Sequence, residues 1–200
     1  MNYISDVLFW ISTGLLVPVT VLLIILFVIA LLLIGSFFGQ YLSMRKNMAW
    51  MTGKIPLLND ENIGEFEKDL PSGNNCLVFI YARKLLSAKG SEAQSQRILS
   101  EFEIAADKDL SVSVMLAKLG PVLGLMGTLI PMGPALVGLS TGDIASMAYN
   151  MQVAFATTVI GLFSAGTGFA TKQIKQRWYL QDMNNLEFLA RLLDSRKLSR

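Results

Sequence analysis

The chain has 200 residues, of which 52% are hydrophobic and 16% are charged, and its formal net charge is +2. With a mean hydropathy of +0.49 it lies outside the range of ordinary soluble domains. Cys76 is the only cysteine and histidine is absent, so an intrachain disulfide and a cysteine-based metal cluster are excluded and the usual general base is missing. We therefore expect a membrane protein that is not an enzyme and that holds no metal or cofactor.

The N-terminal region carries the longest apolar run. Residues 7–38 contain no charged side chain, and a run of this length is typical of a membrane-spanning helix. A cleaved signal peptide is the alternative, but no basic residue precedes the run, and Arg45 and Lys46 follow it in the manner of a stop-transfer flank. The sequence therefore predicts that domain 1–39 holds a short outer segment and the first transmembrane helix.

Residues 40–111 have the composition of a water-exposed region. Apolar spacing predicts helices near 63–70, over 76–88 and from Ser91 onward. No glycine or proline separates Ser91 from Gly120, so we expect the last of these helices to continue without a break into the second span. Acidic and basic side chains are mixed here without a basic patch, which argues against a nucleic-acid partner.

Two further apolar runs, 112–139 and 144–171, are the second and third predicted spans. They form domain 112–171, a transmembrane hairpin that we expect to line a central pore, and a helical tail, 172–200, follows. The tail has apolar residues at alternating four- and three-residue intervals, a coiled-coil-like pattern that predicts either a short coiled coil or packing on a neighbouring helix. These residues are Tyr179, Met183, Leu186, Ala190 and Leu193.

Basic residues near the span ends predict the orientation. Lysines and arginines follow the first and third spans, whereas the N-terminal segment and the turn at 140–143 have none. We therefore expect the N-terminus outside and both 40–111 and the C-terminal tail in the cytoplasm. The predicted fold class is all-α, with three transmembrane helices, of which the second and third extend into the cytoplasm as a helical stalk.

The hairpin is almost free of ionisable groups. Between residues 112 and 171 the only side chains charged at neutral pH are Lys118, near the cytoplasmic end, and Asp143, which we expect to cap the third span. A proton or cation relay through a membrane normally needs a carboxylate or a histidine at mid-depth. If this chain serves ion transport, the titrating group must therefore come from another polypeptide.

Small residues recur at three- and four-residue intervals in both spans. Such rows allow helix backbones to approach closely, which is how membrane helices associate without a hydrophobic driving force. The predicted helix-packing residues are Gly120, Pro121, Gly124, Gly127, Gly161, Ala165 and Gly168.

Polar side chains cluster in the same two helices. A membrane threonine often only bonds a carbonyl of its own helix, but a concentration of polar residues in one hairpin favours a water-accessible or partner-lined surface. The predicted pore-lining residues are Thr128, Asn150, Gln152, Thr157 and Thr158.

Two blocks of the hairpin carry a family resemblance. GPVLGLMGT at 120–128 and AFATTVIGL at 154–162 resemble, in order and spacing, the motifs of the proton channel family that includes MotA, TolQ and ExbB. The three-span layout is similar to the TolQ and ExbB branch, of which this chain looks like a divergent member. Val153 departs from that branch, which has a glutamate at this position.

The resemblance implies a function and partners. Family members form a ring, usually a homopentamer, around a single-span protein of the MotB, TolR or ExbD type that carries a membrane Asp. Flow of protons, or of Na⁺, through the ring of a prokaryotic cytoplasmic membrane is coupled to mechanical work, as in a stator. Thr128 and Thr158 would then face the partner's Asp, with Thr157 close by. The alternative is an oligomeric membrane scaffold without ion conduction.

Overall fold

In a computed structural model, the described residues are 2–55, 58, 62–71, 76–88 and 92–198. They form helices and no strand, which confirms the predicted all-α class. The helices are α1 (Asn2–Gly14), α2 (Leu16–Lys54), α3 (Ile63–Asp69), α4 (Leu77–Ser87), α5 (Glu92–Thr141) and α6 (Ile144–Leu198).

Three helical stretches are long and apolar enough to cross a membrane, as predicted. They are Asp6–Met51, which joins α1 to α2, then Glu92–Thr141 and Ile144–Ser195. The first apolar run ends near Gly39, but the helix itself continues to Lys54. Glycines at 35, 39 and 53 do not end it, because an isolated glycine costs a helix only about 1 kcal/mol.

The predicted continuity between the water-exposed region and the second span is confirmed. Helix α5 runs unbroken from Glu92 to Thr141 and contains Pro121, Pro131 and Pro134. Ser91, where we placed its start, lies outside the described residues. The charged ends of the long helices, 92–111 in α5 and 172–198 in α6, lie outside the apolar spanning segments.

The chain folds as two compact units. Unit 1 consists of Met1–Ser36 and Val112–Lys172, and unit 2 consists of Phe37–Ser111 and Gln173–Arg200. Helices α5 and α6 contribute to both units, whereas α3 and α4 belong to unit 2 alone.

In unit 1, the first apolar helix packs along the hairpin through aliphatic side chains. One cluster joins Leu26, Ala30 and Leu33 to Leu116, and a second joins Val19 and Leu23 to Ile130. Other large apolar side chains of the spans are exposed, as expected where lipid or a neighbouring protein covers them. They include Val122, Leu125, Leu129, Val159 and Leu162.

In unit 2, aromatic side chains connect the short helices to the long ones. The Trp50 ring lies 5.6 Å from that of Phe66 and 5.5 Å from that of Phe79, and the Phe102 ring lies 6.3 Å from that of Tyr179. The tail packs as its spacing predicted. Tyr179, Leu186, Ala190 and Leu193 are buried, and Met183 is half-buried.

An ion pair joins α5 to α6 inside unit 2. The Lys175 ammonium donates to Asp109 Oδ2 at 2.9 Å, and the Tyr179 hydroxyl donates to the same oxygen at 2.7 Å. The side chain of Lys175 is 4% exposed and that of Asp109 is 32% exposed. Burial, together with the hydrogen bond to Asp109, raises the pKa of Tyr179 above its ordinary value, so the phenol stays a donor.

The unequal burial of this pair predicts unequal effects of its two substitutions. Asp109→Asn leaves the buried Lys175 charge without a counter-charge, and we expect the free energy of unfolding to fall by about 3 kcal/mol. Lys175→Met leaves a carboxylate that is partly in water and still bonded to Tyr179, so we expect a smaller loss. Denaturant unfolding of the detergent-solubilised chain measures both.

A surface ion pair of the same unit supplies the control. Glu101 accepts hydrogen bonds from Lys84 and Arg97 at the protein surface. We expect Glu101→Gln to change stability little, because water screens exposed pairs. Equal losses for Asp109→Asn and Glu101→Gln would contradict the role assigned to the buried pair.

Candidate functional site in the transmembrane hairpin

A capped turn joins the two helices of the hairpin. Gly142 has φ 75°, a left-handed backbone conformation that glycine adopts without strain. The Asp143 carboxylate then accepts a hydrogen bond from the backbone N–H of Ser146 at 3.0 Å. The predicted cap on the third span is therefore confirmed, and this acidic group serves the start of α6 rather than the middle of the membrane.

Glycines bring the backbones of α5 and α6 into contact. A Cβ atom on Gly161 would lie 2.7 Å from the carbonyl oxygen of Gly120 and 2.8 Å from Cα of Gly124. A Cβ on Gly168 would lie 2.6 Å from Cβ of Leu116 and 2.6 Å from the carbonyl oxygen of Ser113. No side chain fits at these distances, so the row of glycines makes the close approach possible.

Most of the predicted helix-packing residues lie in this seam. Gly120, Gly124, Gly127, Gly161 and Gly168 are buried, and Ala165 is 8% exposed. Pro121 is placed differently, because it lies on the exposed side of α5.

Thr157 belongs to the seam as well. It is 7% exposed, and a Cβ on Gly127 would lie only 2.6 Å from the Thr157 Cβ. Its hydroxyl donates to the carbonyls of Val153 and Ala154 at 3.0 and 2.9 Å. In the single chain this threonine therefore packs one helix against the other.

Thr128 and Thr158 are half-buried beside the seam. The Thr128 hydroxyl donates to the carbonyl of Leu125 at 2.7 Å, and that of Thr158 donates to the carbonyl of Ala154 at 2.9 Å. Each donor is thus satisfied inside its own helix, while the hydroxyl oxygen keeps lone pairs that can accept a hydrogen bond. Both side chains can bind a proton donor or a cation that approaches from outside the chain.

The two predicted amide residues differ in their bonding. Asn150 Nδ2 donates to the carbonyl of Ser146 at 2.9 Å, within one turn of α6. Gln152 is exposed and makes no hydrogen bond within the described part of the chain. Because hydrocarbon offers an amide no partner, Gln152 needs one from another molecule in the membrane.

Gln152 lies in a shallow apolar groove on α6 that the sequence did not reveal. The groove has a volume of about 780 Å³ and includes Met151, Phe155, Ala156 and Val159. The available signal is the small residues Ala148 and Ala156, which lie four positions before and after Gln152 on one helix face. This face can accept a helix whose polar group meets the amide.

The middle of the membrane-spanning hairpin offers hydrogen-bond acceptors but no carboxyl or basic side chain. Lys118 is exposed near one end of the hairpin, and Asp143 caps α6 at the other. Within the described residues no three His, Cys, Asp or Glu side chains come close enough to hold a metal ion. Any ion bound at mid-depth would therefore be held by neutral oxygens and by groups of another molecule.

Three membrane-length helices, two of them joined in a glycine-packed hairpin with polar side chains, define a multi-pass helical membrane protein. Residues 81–187, more than half of the chain, match the model of the MotA/TolQ/ExbB proton channel family. The chain belongs to that family, as the two motif blocks indicated. No curated protein matches it in sequence.

The seam predicts a sharp difference between two glycines of α6. Gly161→Ala places a methyl group within 2.8 Å of the α5 backbone, whereas a Cβ at Gly166 meets no atom within 4 Å. We expect Gly161→Ala to cost about 1–3 kcal/mol through overpacking. Gly166→Ala should be neutral or stabilise by up to about 1 kcal/mol through helix propensity.

Thermal unfolding of both variants in the same detergent checks this pair. Since the two changes add the same methyl group to the same helix, composition and hydrophobicity cancel in the comparison. Unfolding at the same temperature for both variants would show that the close approach contributes nothing to stability.

Proposed function

We propose that this chain is the ring-forming subunit of an energy-transducing membrane complex of the stator type. Several copies, five by the family resemblance, surround a single-span partner that carries a membrane Asp. Proton or Na⁺ flow along the hairpin is coupled to mechanical work, through rotation of the ring relative to the partner. Membership of the MotA/TolQ/ExbB proton channel family supports this assignment.

One observation carries the proposal: the two spanning helices of the hairpin have hydrogen-bond acceptors at mid-depth but no acidic residue there. Thr128 and Thr158 present hydroxyl oxygens beside the seam, and Gln152 presents an unbonded amide in an apolar groove. A carboxyl group on a partner helix complements all three, because it donates a proton when neutral and accepts the amide N–H when ionised. This chain would line the ion path, and the partner would supply the group that binds and releases the proton.

The orientation proposed from basic residues fits this division. With 40–111 and 172–200 in the cytoplasm of a prokaryotic cell, the turn that Asp143 caps faces outward across the cytoplasmic membrane. Ions would enter near the turn and leave near Lys118. The layout favours the TolQ and ExbB type of branch.

Thr158 can be tested against a threonine of the same helix with the same type of internal bond. Thr167 donates to the carbonyl of Phe163 at 2.9 Å, as Thr158 does to that of Ala154. We expect Thr158→Val to abolish proton or Na⁺ flux into proteoliposomes that contain the ring with its co-purified single-span partner. Thr167→Val also replaces one hydroxyl group by a methyl group, but Thr167 lies outside the motif block at 154–162, so we expect it to keep most of the flux.

Assembly must be measured beside flux in this experiment. The ring with Thr158→Val is expected to purify with its partner in the wild-type ratio, since the hydroxyl bonds only its own helix. A correctly assembled Thr158→Val ring with wild-type flux would refute the assigned role.

A membrane scaffold is the second candidate, and the glycine seam favours it. Tight packing of α5 on α6 and burial of Thr157 against Gly127 serve oligomerisation equally well. A scaffold, however, does not require Thr128 and Thr158 to face water or a partner.

Cysteine labelling separates the two candidates. In a Cys76→Ala chain, Thr128→Cys and Thr158→Cys should react with a membrane-impermeant thiol reagent when the ring surrounds a water-filled path. Thr171→Cys is the buried control, because Thr171 is 4% exposed and bonds Ser113 at 3.3 Å. If positions 128 and 158 react no faster than 171, the scaffold is favoured.

A further inference from the structure

The core face of α6 in unit 2 carries ionisable side chains. Lys175, Tyr179 and Asp182 are 3%, 7% and 4% exposed, on a face that is otherwise apolar. Buried ionisable groups are normally paired, because transfer of a charge out of water is costly. Each of the three groups is therefore expected to have a hydrogen-bond or ion-pair partner.

Lys175 and Tyr179 are both committed to Asp109 of α5. Their donors share one carboxylate oxygen at 2.9 and 2.7 Å. Lys175 is the one buried cation in the described core of unit 2, and Asp109 already neutralises it. Asp182, two turns beyond Lys175, is left without a counter-charge.

Asp182 forms no hydrogen bond or ion pair among the described residues. Burial alone raises the pKa of its carboxyl from 3.8 to about 7. The carboxyl group is thus held in a place that favours its neutral form near physiological pH.

A second, independent observation is that the side-chain amide of Asn185 has an unsatisfied hydrogen-bond donor. Its Nδ2 atom is buried and has no hydrogen-bond partner in the described part of the chain. Asn185 lies three residues after Asp182 and therefore on the same side of α6. Asn185 Nδ2 is thus a buried donor within one turn of Asp182, and ionisation of the carboxyl would give the amide a strong acceptor.

The charged groups on the neighbouring helices do not compensate Asp182. On α5, Asp109 is paired with Lys175, and Glu101 lies at the surface with Lys84 of α4. The pKa of Tyr179 is raised mainly by burial and by the hydrogen bond to Asp109, and Asp182 adds a smaller contribution to the same shift. Ionised Asp182 therefore meets a phenol that stays protonated, and it forms no ion pair with a described cation.

We propose that Asp182 is a proton-binding site in the core of unit 2 and that loss of its proton loosens the packing of α6 against α5 within this unit. The neutral carboxyl is compatible with the surrounding apolar side chains, whereas the carboxylate requires water or a shift of Asn185 toward it. Unit 2 thereby responds to the pH of the solution around it. This response is separate from any ion passage through the hairpin.

The sign of the pH effect follows from linkage. A carboxyl with a raised pKa binds its proton more tightly in the folded chain, so its contribution to stability is present at low pH and is lost as the pH rises toward about 7. Between pH 5 and pH 8 we expect the folding equilibrium constant of the full-length chain to fall by about 100-fold. The absence of histidine removes the side chain that usually titrates in this window.

The experiment is denaturant unfolding of the full-length chain in detergent at pH 5 and pH 8. Asp182→Asn reproduces the neutral form, so its folding constant should stay nearly constant between the two values. Asp107→Asn is the matched control, because Asp107 is exposed on α5 and its substitution should leave the wild-type decrease intact. A wild-type decrease that persists in Asp182→Asn, or no decrease in the wild type, would overturn the proposal.

Infrared difference spectra give a measurement that does not depend on unfolding. A protonated carboxyl absorbs in a region free of amide bands, and we expect such a band at pH 6, its loss at pH 8 and its absence from Asp182→Asn. A wild-type spectrum without this band at pH 6 would also overturn the proposal.

Discussion

The close approach of two helix backbones at Gly120 and Gly161 is the constraint on which the hairpin depends. In lipid, helices gain little by burying apolar side chains, so their association rests on backbone packing. Because a Cβ at Gly161 would lie 2.7 Å from the Gly120 carbonyl oxygen, only glycine permits this contact. The contact in turn decides which polar side chains remain beside the seam and can still meet another molecule.

The two units differ in where their charged side chains lie and in how these are paired. The spanning part of unit 1 keeps neutral polar groups and places Asp143 at the turn, where it caps α6. Unit 2 buries Lys175 and Asp182 and neutralises only the first, through Asp109. A charge without a partner is costly in hydrocarbon, whereas a core beside water can exchange a proton instead. Among the described residues, the buried titratable groups therefore lie in unit 2.

Local patterns in the sequence predicted what local chemistry determines. Apolar runs located three spans, the absence of Gly and Pro after Ser91 predicted the continuous α5, and Asp143 was recognised as a cap. Contacts between distant residues were not accessible in this way. Lys175 and Asp109 are 66 positions apart, and the burial of Asp182 depends on the tertiary packing of unit 2. The spacing of the tail identified its apolar residues and did not single out Asp182.

Thr157 and Thr158 show how packing assigns different tasks to adjacent residues of one type. Successive residues of a helix point about 100° apart, so only one of the two can face Gly127. Thr157 takes that position and is 7% exposed, which leaves the half-buried Thr158 at the edge of the seam. The glycine that admits Thr157 thus also determines that Thr158 can meet a group from outside the chain. The small residues on the facing helix therefore determine which of two adjacent threonines in a membrane helix is buried and which remains accessible.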